Sequence, residues 1–160
     1  YMLLLGGMAK SETEAVAMAE RSLIDGSAFE KFRELVIAQH GDVSVVEHLD
    51  KLPTAKYVET LLADESGYVE SVDARIIGET AVDLGAGRAQ KGDKIDLAVG
   101  INVFVKIGDQ VQIRQPFFEV HANDRVKLHA AMERLKEAVK LSKYPVKKPP
   151  YFHGVIGFEG

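Results

Sequence analysis

Gly85-Ala86-Gly87-Arg88-Ala89-Gln90-Lys91 is the stretch whose residue types could do chemistry. Glycines let backbone approach a ligand closely, and Arg88, Lys91 and the nearby Lys94 concentrate positive charge in a short Gly-rich segment, a composition suited to an anion. Two familiar phosphate-binding loops do not fit. Gln90 stands where the third glycine of a dinucleotide fingerprint belongs, and the segment follows a helical pattern where that fingerprint follows a strand. Lys91-Gly92 reverses the order a Walker loop requires. The bland alternative is a helix C-cap followed by a connecting loop.

Other chemistry is sparse. His40, His48, His121, His129 and His153 lack the i,i+4 or His-Glu spacing of a metal site. His121, ending a strand beside Asn123, reads as a hydrogen-bonded structural residue. With no cysteine there is no thiolate nucleophile, disulfide framework or thiolate zinc site. No residue is assigned a catalytic or metal-binding role, and no cofactor is expected.

The elements that must hold these residues are legible in outline. Ser11-Glu12-Thr13-Glu14 and Ser27-Ala28-Phe29-Glu30 each have capping-box spacing, followed by apolar stripes that end at Gly26 and Gly41. After Pro53 the pattern turns extended, with strands expected around Tyr57–Thr60 and Tyr68–Val72. Asp73 caps a helix carrying Ile77, Ala81 and Leu84, stopped by Gly85. Val99, Ile101, Val103 and Val105 predict one face of a strand. Gly108-Asp109 predicts a turn, and Phe117–Val120 a further strand. Asn123-Asp124 caps a last helix whose stripe runs Leu128, Met132, Leu135, Val139, and Pro145, Pro149 and Pro150 forbid its continuation. The reading is α+β: a helical segment over 1–51, an α+β domain over 52–143 and an extended tail over 144–160.

Composition narrows partners. Net charge is −4, so no basic field recruits nucleic acid or an anionic membrane. Met2-Leu3-Leu4-Leu5 is too short for a signal peptide or a span, which leaves a cytoplasmic protein as the default expectation. Opening on Tyr1 within an apolar segment reads as a chain cut from a longer one.

Three stretches resemble the pyrimidine-nucleoside (thymidine) phosphorylase family. Asp25-Gly26-Ser27-Ala28-Phe29-Glu30-Lys31-Phe32 is similar to its G-[KS]-A-x-x-[KR]-F helix start. Leu84-Gly85-Ala86-Gly87-Arg88, with Asp93-Lys94-Ile95-Asp96-Leu97-Ala98-Val99-Gly100, is similar to LG[AG]GR followed by D-x-I-D-x-A-V-G. Lys106-Ile107-Gly108-Asp109-Gln110-Val111, running on to Val120-His121-Ala122-Asn123, is similar to the family's KVGD-x-V stretch. One departure is Arg114-Gln115 before Pro116, where relatives often carry a glycine.

The resemblance implies a C-terminal portion: the rear of the large α/β domain joined to an α/β-hammerhead, barrel-sandwich-like domain. The intact enzyme would transfer the pentose of a pyrimidine nucleoside to phosphate, releasing the base, and would be a homodimer. The family's Lys-His-Ser-Thr-Gly-Gly and Ser-Gly-Arg-Gly stretches and its base-gripping set do not occur in these residues, so this chain is expected to be a structural, inactive part. Gly85, Gly87, Arg88 and Lys91 would then form a loop closing over an anionic substrate. The Gly-Asp-x-Val turn at Gly108 is also used by biotinyl- and lipoyl-carrier half-barrels, but a target lysine in Met-Lys-Met or Asp-Lys-Ala context is absent; a binding or assembly module of that fold is the alternative.

Overall fold

A computed structural model describes residues 1–88, 90–154 and 156. The chain divides into two compact units, residues 1–52 and residues 53–160.

The first unit is helical: α1 (Met2–Leu5), α2 (Glu12–Ile24), α3 (Ser27–Ala38) and α4 (Ser44–Glu47), then a 3-10 turn at Leu49–Lys51. Ser11 caps α2, its hydroxyl accepting from the Glu14 amide at 3.2 Å. The Glu14 carboxylate reaches one residue further back than the box predicts and accepts from the Lys10 amide at 2.7 Å. The second box does not form. Gly26, at φ 81, occupies the N-cap of α3, and the Asp25 carboxylate accepts from the Ser27 amide at 2.9 Å. A left-handed residue suits glycine, and Asp25 supplies the cap that Ser27, already inside the helix, no longer can. Among the described residues only Ala9 and Ala15 of this unit are buried, while Leu23, Ile24, Phe32 and Leu35 are exposed.

The second unit is α+β, with two three-stranded antiparallel sheets. β1 (Tyr57–Leu62), β5 (Pro116–Ala122) and β3 (Gly100–Val103) form one, in the order β1-β5-β3. β4 (Gln110–Val111), β2 (Gly67–Val72) and β6 (Val139–Ser142) form the other, in the order β4-β2-β6. α5 (Ala74–Ala81) follows β2, capped by the Asp73 carboxylate, which accepts from the Arg75 and Ile76 amides. It widens into a π turn at Val82–Ala86 that is broken by Gly85. α6 (Arg125–Leu135) starts at Asp124, whose carboxylate accepts from the Val126 and Lys127 amides.

One core joins the sheets and helices. Leu61, Phe118 and Val120 come from the first sheet, Val69 and Val111 from the second, and Leu84, Leu128 and Leu135 from the helical side. Phe118, Val120, Val69 and Leu135 are each 0% exposed. Each such side chain contributes about 1.5–3 kcal/mol by leaving water. Expected elements change in two places. The predicted strand face from Val99 to Val105 does not hold, because the strand is confined to Gly100–Val103 and Val103 points outward, half-exposed. Val139 is not helical: a 3-10 turn at Lys136–Ala138 ends α6, and the chain enters β6 against β2.

Among the described residues after Ser142 none lies in a helix or strand, yet part of this segment is held. Lys148 Nζ lies 2.7 Å from Asp109 Oδ1. Gly108, at φ 87, brings its backbone so close to Val146 and Lys148 that a Cβ there would lie 3.0 Å from the Val146 carbonyl oxygen and 3.1 Å from the Lys148 nitrogen. The turn itself is fixed to β2 by the Gly108 amide, which donates to the Val69 carbonyl at 2.8 Å.

Candidate functional site

The Gly-rich segment begins where α5 and its π turn run out. α5 presents Ile76 and Ile77 to the core, and Leu84 follows, 5% exposed. Gly85 then adopts φ 116, a backbone state that side chains with a Cβ rarely take. Gly87 serves differently. It is extended, but a Cβ there would sit 2.7 Å from Val82 Cγ2, so only glycine passes this point without displacing Val82. The two glycines the sequence singles out thus have separate physical reasons, one conformational and one steric.

Arg88, Lys91 and Lys94 are exposed, and none forms an ion pair among the described residues. A small turn closes the tip, the Asp93 carboxylate accepting from the Gln90 amide at 2.8 Å. The segment returns at Asp96, whose amide donates to the Gly85 carbonyl at 2.9 Å. Asp96 is held in turn: Oδ1 accepts from the Ala98 amide at 3.0 Å and Oδ2 from Asn123 Nδ2 at 2.7 Å. The Asn123 bond first, the Ala98 amide next, and the charges of Lys127 and Lys56 hold this carboxyl below the usual range.

Beside the loop lies an open cavity of about 390 Å³ lined by Asp83, Gly85, Gly87, Asp93, Lys94 and Lys127. Asp83 is partly neutralised by Arg134, whose Nη1 lies 2.7 Å from Asp83 Oδ2, while the other guanidinium nitrogen bonds Glu79. Gly85 and Gly87 therefore line the cavity directly. Arg88 and Lys91 are exposed and do not line it. Lys127, from α6, joins it from a position that no local motif marks.

His121 belongs elsewhere, on the first sheet. Its Nε2 pairs with Glu119 Oε1 at 2.8 Å, and Asn102 Nδ2 donates to the same oxygen at 3.1 Å. These bonds, His121 first, depress the Glu119 carboxyl. The residue is thus hydrogen-bonded, as its place beside Asn123 at the strand end leads one to expect. Among the described residues no three His, Cys, Asp or Glu side chains gather as a metal site, and no helix is long and apolar enough to cross a membrane.

Paired antiparallel sheets with a capped helix on each side of the glycine loop define an α+β domain. Residues 68–142 match the family model described as the pyrimidine nucleoside phosphorylase C-terminal domain. The chain is also 39% identical over 156 residues to a pyrimidine-nucleoside phosphorylase of Geobacillus stearothermophilus; the match covers 98% of this chain and 36% of that protein's length. Residues 68–142 thus carry the C-terminal domain of pyrimidine nucleoside phosphorylases, and the chain spans about a third of the length of the relative it matches.

Proposed function

We propose that these residues serve a pyrimidine-nucleoside phosphorylase as its C-terminal scaffold and supply a basic loop to its substrate cleft. The match of residues 68–142 to that enzyme's C-terminal domain carries the reading. In the reaction an oxygen of phosphate bonds to C1′ of the nucleoside while the bond from C1′ to the base nitrogen breaks, giving free base and pentose 1-phosphate. The transition state is oxocarbenium-like, so the enzyme must hold phosphate on one face and ease departure of the base on the other.

The 160 residues themselves turn nothing over, because the motifs expected to grip phosphate and base do not occur in them. Their contribution is positional. Arg88 and Lys91, carried past Gly85 and Gly87, close over the anionic substrate, with pyrimidine nucleoside and phosphate as the ligands and no cofactor. The enzyme works as a cytoplasmic homodimer. We read the second unit as the hammerhead, barrel-sandwich-like domain and the first as part of the α/β domain, a reading supported by the exposed apolar side chains of α2 and α3.

The test is steady-state phosphorolysis of thymidine and uridine by a longer phosphorylase containing this chain, with and without Arg88→Ala. A rise in KM or a fall in kcat on the order of tenfold, the worth of one charge-assisted contact, is expected. Unchanged kcat and KM would remove the loop from the mechanism.

A further inference from the structure

The loop between Gly85 and Asp96 is closed at its neck by a hydrogen-bonded chain that runs through three separate parts of the second unit. The Gly85 carbonyl accepts from the Asp96 amide at 2.9 Å. Asp96 Oδ2 accepts from Asn123 Nδ2 at 2.7 Å, and Asn123 Oδ1 accepts from the Lys56 amide at 2.9 Å. Lys56 immediately precedes β1, and Asn123 lies between the end of β5 and Asp124, the cap of α6. The loop is thus tied through one side-chain amide to the start of one strand, the end of another and the start of a helix.

Every atom in this chain has a determined polarity. A backbone amide can only donate, so Asn123 must turn its oxygen to Lys56 and its nitrogen to Asp96. The Ala98 amide can likewise only donate, and it takes the other Asp96 oxygen at 3.0 Å. Asp96 and Asn123 are both half-buried, and neither backbone amide has another acceptor among the described bonds. Packing adds to the fit: a Cβ on Gly85 would lie 3.6 Å from Asp96 Cβ and 3.8 Å from Val99 Cγ2. Among the described residues the side chains of Arg88, Lys91 and Lys94 have no comparable anchors, so their position is inherited from the neck.

We propose that Asp96 and Asn123 form a lock on the loop neck and are positioning residues for the basic side chains that the loop carries. The positioning role rests on the phosphorylase reading above; the lock does not.

The polarity makes the lock testable by transposing a charge. Asn123→Asp sets two carboxylates against each other. Asp96→Asn leaves two amide NH2 groups facing, and turning Asn123 over to relieve that would set its NH2 against the Lys56 amide. In the double variant D96N/N123D, residue 96 gives its oxygen to Ala98 and its NH2 to residue 123, whose carboxylate accepts from that NH2 and from Lys56. All three bonds return with the charge moved by one side chain.

The readout is the rate of tryptic cleavage after Arg88, Lys91 and Lys94 in the 160-residue chain, followed by mass spectrometry, with the melting temperature of each variant measured alongside. Loss of a charge-assisted bond at the neck predicts cleavage on the order of tenfold faster in each single variant, because proteolysis follows the opened population. The double variant is expected to return to within about twofold of the parent. Equal cleavage in parent and single variants, or no recovery in the double variant, overturns the lock. The same variants in a longer phosphorylase test positioning: KM for phosphate rising in the single variants and recovering in the double supports it. Cleavage that responds while phosphorolysis does not overturns the positioning role and leaves the lock standing.

Discussion

Lys148 Nζ lies 2.7 Å from Asp109 Oδ1, which ties the proline-rich tail to the turn that leads into β4. The same carboxylate accepts from the Lys106 amide through its other oxygen at 2.9 Å. Both bonds depress the Asp109 carboxyl, Lys148 the more. A carboxyl depressed by folding adds stability above its unfolded pKa of about 3.9 and loses it as pH falls through the lower folded value. The parent should therefore melt at a higher temperature than Lys148→Ala near neutral pH, by a small margin because Lys148 is 70% exposed. That margin should close as pH falls through the depressed folded value, below the usual carboxylate range, and shrink in high salt. A margin independent of pH, measured by thermal melts across the acid range, would show that the ion pair is idle.

At Gly108 a substitution meets two obstacles. Its φ of 87 disfavours any Cβ, and a Cβ there would crowd the backbone of Val146 and Lys148. Gly108→Ala should cost about 1–2 kcal/mol for the backbone alone and free the tail. Faster hydrogen exchange at the Lys147 and Lys148 amides, or proteolysis after Lys147, reports the second effect.

Arg114 is the converse case. It has φ 67, its amide donates to the Ala63 carbonyl at 2.8 Å, and it occupies the position before Gln115-Pro116 where the family resemblance leads one to expect glycine. The fold keeps the left-handed turn and accepts the strain of a side chain. Arg114→Gly should raise stability by about 1 kcal/mol, read from denaturant midpoints at unchanged m.

The core predicts a larger effect. Phe118 is fully buried between β1 and β3 and meets Phe117 edge-on at 6.5 Å between ring centroids. Phe118→Ala should cost about 3–5 kcal/mol in chemical unfolding.

Local signals were the readable part of this fold. Ser11, Asp73 and Asp124 cap the helices their spacing predicts, because a cap is made within one turn of chain. β6 escaped because Val139 continues the α6 stripe in phase; pairing with β2, far away in sequence, overrides that pattern. At Ser27 the preceding Gly26 takes a conformation that spacing alone does not reveal. The loop showed the same division. Gly85, Gly87, Arg88 and Lys91 stand out in one short stretch, whereas Asn123 and Lys127 reach its neck and cavity across tertiary distance. Only the Asp96-Leu97-Ala98 turn carried a local hint, its carboxylate capping the amide two residues on.

The most direct measurement is phosphate-dependent release of base from thymidine and uridine, run on the 160-residue chain and on a longer phosphorylase that contains it. No release by the chain alone, with full activity in the longer protein and a loss on the order of tenfold in its Arg88→Ala variant, is the result expected of a scaffold that lends a loop. Turnover by the 160 residues themselves would contradict it and place the chemistry within the second unit.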